Sequence, residues 1–579
     1  ISLRSFIRSP SYDFVLCFCT WTPYVYLFQV QDCISLCAVG RWFCSNRYFL
    51  VSHLSKVFNS VPVKVPDRSG FDMSHENLFS ATVGTLIPAS VEEVLPGDVV
   101  SIGGSLSVEL PPLATNFKGR VDAKLEAFFV PNRILWAGWQ DFICQDPNHK
   151  PVVPGFSVAS SIPQVRIDTS HSGPGSLSDF LGLKLPVVPS GSGPYVDVNA
   201  LPYLAYSKIW DDWYRDTLVQ QPFFVDGVDA TVQGLGAGTA PFMRTSGVMT
   251  TAASYYYSGS TLGFNGQDIR NLRQRCFAKD YITTMTTQPQ SGADSRLEFV
   301  ANPDQDPNSP QGQYVGSFNI RSLRVANALQ TWLEKNNIGG TRYYDQILAH
   351  FGVMPPDVNV NRAVLLGAMT TPVVVNSISQ TNQPSNSQTQ NPYANSTGAQ
   401  FGRGLSFGKD RLVDNFEVKE HGFIMILFSL VPHAYYSTGI RRYLGRSGSG
   451  TFAFPEFAGI GDQEVYQSEL IGGFAYTDNI PWNTSRIAGY NQRFSEYKYH
   501  DDEVHGLLSD SNSLASFVLQ RGFTGTTIGP STSLLEIPTT YMDDVMVTTS
   551  GVSGFNAIVD CYFDSKMLRV LPEYSLPHL

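Results

Sequence analysis

Charge is scarce in this chain of 579 residues. Asp, Glu, Lys and Arg together make up 16%, well under the quarter usual for a soluble domain. So thin a charged surface argues against a free helical enzyme and for many buried or partner-facing surfaces. Positive charge is scarcer still, with 40 Lys and Arg against 50 Asp and Glu and a net charge of −10. A protein that grips phosphates over its whole surface is normally basic, so bulk nucleic-acid binding is excluded and only a local patch or a separate basic partner remains. Cysteine is thin in the body. Five of eight lie at Cys17, Cys19, Cys33, Cys37 and Cys44, leaving Cys144, Cys276 and Cys561 scattered. That set reads as no disulfide framework and suits a reducing compartment.

Catalytic signatures are missing as well. Gly402 to Asp410 approaches a phosphate loop, but Arg403 stands where its first Gly belongs, and Asp410 replaces the Ser or Thr that would hold Mg²⁺. His75-Glu76 lacks the second His of a zinc helix. Gly234-x-Gly-x-Gly has no strand-then-helix setting. The neighbours Glu92-Glu93 and Asp501-Asp502 would point to opposite faces of a strand and make poor acid/base pairs. No catalytic, cofactor-binding or metal-binding residue is therefore nominated, and no cofactor is expected.

What is abundant is aromatic and turn-forming: 27 Tyr, 37 Phe, 8 Trp, 49 Gly and 36 Pro. Residues 121–129 alternate, with apolar side chains at odd positions and Asp122, Lys124 and Glu126 between them. A strand with one buried and one wet face follows, stopped at Pro131. Phe423 to Val431 is apolar on both faces, as in a sandwich interior, and Ala557 to Phe563 forms a third strand. Helices are expected to be few and short. Apolar stripes run through Leu135, Trp139, Phe142 and Ile143, through Tyr206, Ile209, Trp210 and Trp213, and through Val325, Leu329, Trp332 and Leu333, the last stopped by Gly339-Gly340. Tyr343 to Phe351 makes another helix. Core packing is the plain expectation for these stripes, with subunit contact as the alternative. Two basic clusters, Arg270, Arg273, Arg275 and Lys279, and Arg441, Arg442 and Arg446, either face nucleic acid or are ordinary ion-paired surface.

Residues 1–50 differ from the rest, with five Cys, no Lys and six charged residues, and the first Met is Met73. The apolar run from Phe14 to Val39 is broken by Pro23, Gln29, Gln31 and Asp32, which disfavours a signal or anchor. A non-native upstream extension or disordered segment is expected here, with initiation near Val51. Residues 51–579 then form the main domain, with surface insertions near 155–200, 225–268 and 377–400.

Several segments taken together resemble a known family. Glu93-Val94-Leu95-Pro96-Gly97-Asp98 is followed by Phe128-Phe129-Val130-Pro131-Asn132-Arg133 and Trp136-x-x-Trp139. Val198 to Pro202 leads into Trp213-Tyr214-Arg215-Asp216, then Lys279-Asp280-Tyr281 and Gly339-Gly340-Thr341-Arg342-Tyr343. His350-Phe351-Gly352-Val353, Glu420-His421-Gly422-Phe423, Phe494-x-Glu496-Tyr497-Lys498-Tyr499, Val504-His505-Gly506 and Pro572-x-Tyr574-Ser575-Leu576-Pro577 complete the series. In this order, from about Val57 to Leu579, the chain resembles the major capsid proteins of microviruses, the gokushovirus branch in particular. Residues 1–50 have no counterpart there, and Ser291 stands where the family usually has Lys.

The resemblance implies a mainly β fold, an eight-stranded viral jelly-roll barrel with long inserted loops and a few short helices. It implies a T=1 icosahedral shell of sixty copies around circular single-stranded DNA, with protrusions near the threefold axes, assembled in a bacterial cytoplasm. It also implies a small basic DNA-binding companion, minor spike or pilot proteins, and a receptor on the host surface. The alternatives are a secreted or surface β-rich binding module of adhesin type, favoured by the aromatic content, and a glycosidase-like hydrolase, for which no carboxylate pair presents itself.

Overall fold

A computed structural model describes residues 14–17, 26–29, 68–113, 115–136, 139–144, 162–167, 169, 171–184, 196–222, 268–289, 320–340, 342–379, 400–446, 448–471, 487–509, 514–523, 528–546 and 556–574. The chain divides into two compact units, residues 1–69 with 570–579, and residues 70–569. In the first, Phe14–Cys17 pairs antiparallel with Tyr26–Gln29. The rest of the segment expected to be an extension lies outside the described residues.

The second unit is built on eight long strands: β1 (His75–Ala81), β2 (Ile87–Val94), β3 (Val99–Glu109), β4 (Val121–Pro131), β5 (Val364–Pro372), β6 (Gln400–Glu417), β7 (Gly422–Pro432) and β8 (Ala557–Arg569). One sheet runs β2-β7-β4-β5. The other has six strands: Val374–Ser379, β6, β3 and β8 follow in order, Ser69–Asp72 lies beyond β8, and β1 also pairs with β8. Every pairing is antiparallel. The partners 1·8, 2·7, 3·6 and 4·5 are those of one long hairpin rolled up on itself, which is the jelly-roll topology.

Alternation drives the roll. On β3 the inner Val100, Ile102, Leu106 and Val108 are at most 1% exposed, while Ser101, Ser105 and Ser107 face out. Across from them β7 contributes Ile424, Ile426, Phe428 and Leu430 to the same core. Each such side chain contributes roughly 1.5–3 kcal/mol of burial. The chain crosses between sheets at Pro372, which ends the β4 ladder before Val374 joins β6. Towards the other end of β5, Gly367 sits at a bulge in its register. A Cβ there would stand 2.1 Å from the Leu412 carbonyl oxygen, so only glycine fits.

Strand β7 is buried along its whole length, as its sequence predicts. Its second face, Phe423, Met425 and Leu427, meets another core laid over the outside of the β2-β7-β4-β5 sheet. Helix α1 (Leu201–Ile209) and the π-helical turn Trp210–Tyr214 form that outer layer. Tyr206 anchors it, its hydroxyl donating to the Leu86 carbonyl at 2.8 Å. This corrects the expectation of a wet face on β4. Asp122 is buried beside Arg120 and His433, and the helical layer covers Glu126 and Phe128, the latter packed against Trp213 and Tyr214.

Two longer helices stand apart, α2 (Ile320–Gly339) and α3 (Tyr343–Phe351). With 20 residues α2 is not short. Gly340 and Gly352, both at positive φ, end the two helices without a Cβ penalty. The stripe from Leu135 to Ile143 divides between two short helices, Asn132–Leu135 and Trp139–Cys144, and Ile143 faces solvent. The 155–200 insertion is not wholly surface, since Val165, Ile167 and Leu177 lie in the outer core. Residues 225–267 and 380–399 lie outside the described residues.

Candidate assembly surfaces

The first basic cluster is internal wiring. Arg270 is 6% exposed and grips Asp268, Nη2 to Oδ2 at 2.6 Å. Arg273 lies over the Trp210 ring at 5.2 Å and donates to the Asp268 carbonyl, and burial lowers its guanidinium from the usual value. Arg275 reaches Glu126 on β4 at 2.5 Å beneath the Tyr214 ring. Lys279 pairs with Asp216. Burial pushes the Asp216 carboxyl up, but Lys279 and two backbone N–H donors outweigh it and the net direction is down. The Arg275–Glu126 pair ties the 268–279 segment to the sheet.

The second cluster is spent the same way. Arg441 pairs with Glu503, Arg442 with Glu469 at 3.1 Å and Glu496 at 3.7 Å, and Arg446 with Glu496 at 2.9 Å. The Tyr281 hydroxyl donates to Glu469 at 2.7 Å. Burial raises the Glu469 carboxyl despite Arg442 beside it. Of the two readings of the clusters, ion pairing is the one observed within the subunit. Arg442 and Arg446 line an open cavity of about 470 Å³ with Arg493, Tyr466, Phe494 and Glu496. A second cavity of about 470 Å³ lies between Trp213, Lys279, Asn337 and Arg342.

The segment resembling a phosphate loop is part of β6, hydrogen-bonded in register to β3. Gly404-Leu405-Ser406-Phe407-Gly408 also has the spacing of a hydrolase elbow. It makes no turn, and Ser406 is buried at 3% inside the ladder. Among the described residues no three His, Cys, Asp or Glu converge as metal ligands. Cys276 and Cys561 are free thiols, and burial raises both above the ordinary value, Cys276 to about 12. At that value the thiol is unreactive.

The informative surfaces are apolar. The stripe of α1 is buried as expected, with Tyr206, Ile209 and Trp210 at most 3% exposed. The stripe of α2 is not. Leu333 is buried, but Val325, Leu329 and Trp332 are 60%, 44% and 48% exposed. Core packing is thus corrected to an uncovered face over much of this helix, with Leu333, Asn336 and Asn337 towards its C-terminal end turned inward. Residues 451–460 are exposed in succession, with Phe452, Phe454, Phe457 and Ile460 outward. The outer face of the β1-β8-β3-β6 sheet shows Leu78, Ile558, Tyr562, Leu405 and Phe407. Apolar residues at alternating positions of β8 signal that face in the sequence; the 451–460 segment has no periodicity to announce it.

A β roll with paired charges and wide apolar surfaces describes a building block. Residues 59–579 match the family model described as capsid protein (F protein). The chain belongs to that family. F-family relatives include capsid protein VP1 of Chlamydia phage 1, 26% identical over 92% of this chain and 98% of that one. Capsid protein VP1 of Bdellovibrio phage phiMH2K is 25% identical over 91% and 98%. Capsid protein VP1 of Spiroplasma virus 4 is 25% identical over 77% and 83%. As an F-family capsid protein the chain is a structural component of a virion, built into a shell of identical subunits, and not an enzyme. The adhesin and hydrolase readings fall with that assignment.

Proposed function

We propose that this subunit closes a T=1 icosahedral shell of sixty copies around circular single-stranded DNA, assembled in the cytoplasm of a bacterial host. The supporting observation is the match over residues 59–579, joined to a rolled eight-strand wall whose apolar surfaces are left uncovered in the single chain. Heterologous contacts repeated about closed axes turn such a subunit into a finite particle.

Genome neutralisation falls to other molecules in this reading. The subunit carries a net charge of −10, and both arginine clusters are bound to its own carboxylates. A small basic companion would carry the charge for packaging. Minor spike or pilot proteins and the host receptor would meet the exterior, where the 155–200 and 225–268 insertions are the candidates for protrusions and receptor contacts.

Purified particles test the reading. Cryo-electron microscopy should show icosahedral symmetry with one jelly roll per asymmetric unit, and the packaged nucleic acid should be circular and sensitive to single-strand nuclease once released. Helical or open assemblies, or duplex DNA inside, would overturn it.

A further inference from the structure

We infer that the exposed stripe of α2 is the seat for the 452–460 segment of a neighbouring copy of this chain. The inference rests on the shell reading above and names one of its contacts.

The seat is a helix face. Val325, Leu329 and Trp332 follow at i, i+4 and i+7, so they stand in one row. All three are 44–60% exposed, although Leu333 beside them is buried. Trp332 is stacked on the His350 ring of α3 at 6.0 Å and is still about half exposed. Exposed Arg324 and Lys335 flank the row on the same side of the helix.

The knob is preorganised. Phe457 N–H donates to the Phe454 carbonyl at 3.0 Å and Ala458 N–H to that of Pro455 at 3.2 Å, forming the 3₁₀ turn Pro455–Phe457. Phe454 and Phe457 meet edge to face at 6.1 Å. Four apolar side chains point outward from a backbone already fixed, so little ordering entropy remains to be lost on docking. Its one charged residue is Glu456, opposite in sign to the pair flanking the seat.

The two surfaces are neighbours on one subunit. Gly461 sits against Glu334, and Asn337 donates to Asp462 at 3.3 Å. Yet both remain exposed, so the knob does not fill its own seat. A second copy is the occupant because a shell of identical subunits brings copies together, and phenylalanine and tryptophan with a charged rim is the composition of an interface core. Seat and knob lying side by side place the contact close to a symmetry axis.

The test uses assembled particles grown from an equal mixture of ¹⁴N and ¹⁵N subunits carrying a photo-crosslinking phenylalanine at position 332. Illumination, digestion and mass spectrometry should find adducts of mixed label mapping to 452–460. Adducts elsewhere, adducts of one label only, or none would overturn the inference. In parallel, Leu329→Asp should lower particle yield at least about tenfold while the subunit keeps its circular dichroism and melting temperature; wild-type yield would overturn it too. If the wild-type chain, supplied with its companion proteins and genome, forms no closed particle, the shell reading itself falls.

Discussion

Arg275 reaches across from the 268–279 segment to Glu126 on β4, and the two side chains are mostly removed from water. Glu126 also accepts from the Tyr214 hydroxyl at 2.6 Å, so one carboxylate holds both a guanidinium and a phenol. Burial and the Glu126 charge push the Tyr214 phenol well up, so it stays a donor. Removing the arginine alone leaves a buried carboxylate without its counter-charge. Arg275→Met is expected to cost about 3–5 kcal/mol, read as a lower midpoint in urea unfolding of the isolated subunit. Adding Glu126→Gln should recover a large part of that loss.

Phe428 and Phe407 are the same residue type on opposite terms. Phe428 is fully buried between the sheets, and Phe407 is 72% exposed on the outer face of β6. Phe428→Ala should destabilise the subunit by about 3–5 kcal/mol. Phe407→Ala should stay within about 0.5 kcal/mol. Chemical denaturation of both variants checks the contrast.

Gly367 should tolerate no side chain. Its missing Cβ lies 2.1 Å from the Leu412 carbonyl oxygen of β6, so Gly367→Ala must push two strands apart. A loss of about 1–3 kcal/mol follows, with a lower melting temperature as the readout.

Asp501 gives the subunit a pH dependence. Burial, then the Asp280 charge, raises its carboxyl to about 6, against the Tyr281 N–H and Arg441 that pull it down. The folded state therefore binds this proton more tightly than the unfolded chain. Below the ordinary carboxyl value both states are protonated and nothing is lost. As pH rises towards about 6 the folded state is progressively penalised, and above that the penalty is constant. Asp501→Asn should stabilise the subunit at pH 7.5 by about 1–2 kcal/mol, after discounting for solvent screening, and the gain should vanish near pH 4. Equal effects at both pH values would refute this account.

Much of the roll was legible in the residues. The alternation of β4 and the tail strand β8 state their burial in period 2, the doubly apolar β7 states its own by an unbroken run, and Pro131 and Gly340 state their stops. The covering of β4 was not legible. Asp122, Lys124 and Glu126 look like a wet face because local sequence does not show that α1 and the turn ending at Tyr214 return to cover it, with Arg275 supplied from far along the chain. The α2 stripe misled in the opposite sense. An amphipathic pattern reports that a face will be covered, not whether the cover is the same molecule. The arginine clusters were legible as charge but not as pairs, since Asp268, Glu126, Glu469 and Glu496 come from separate elements.

Strand β8 lies between β1 and β3, so the last long strand to be made is hydrogen-bonded to two of the first. A nascent chain therefore holds an open slot in one wall, with two bare ladder edges, until residues 557–569 leave the ribosome. Contacts this distant in sequence fold slowly, and open edges invite wrong partners in the meantime. A chain broken off before residue 557 cannot complete this wall, because β1 and β3 then lose the strand that joins them.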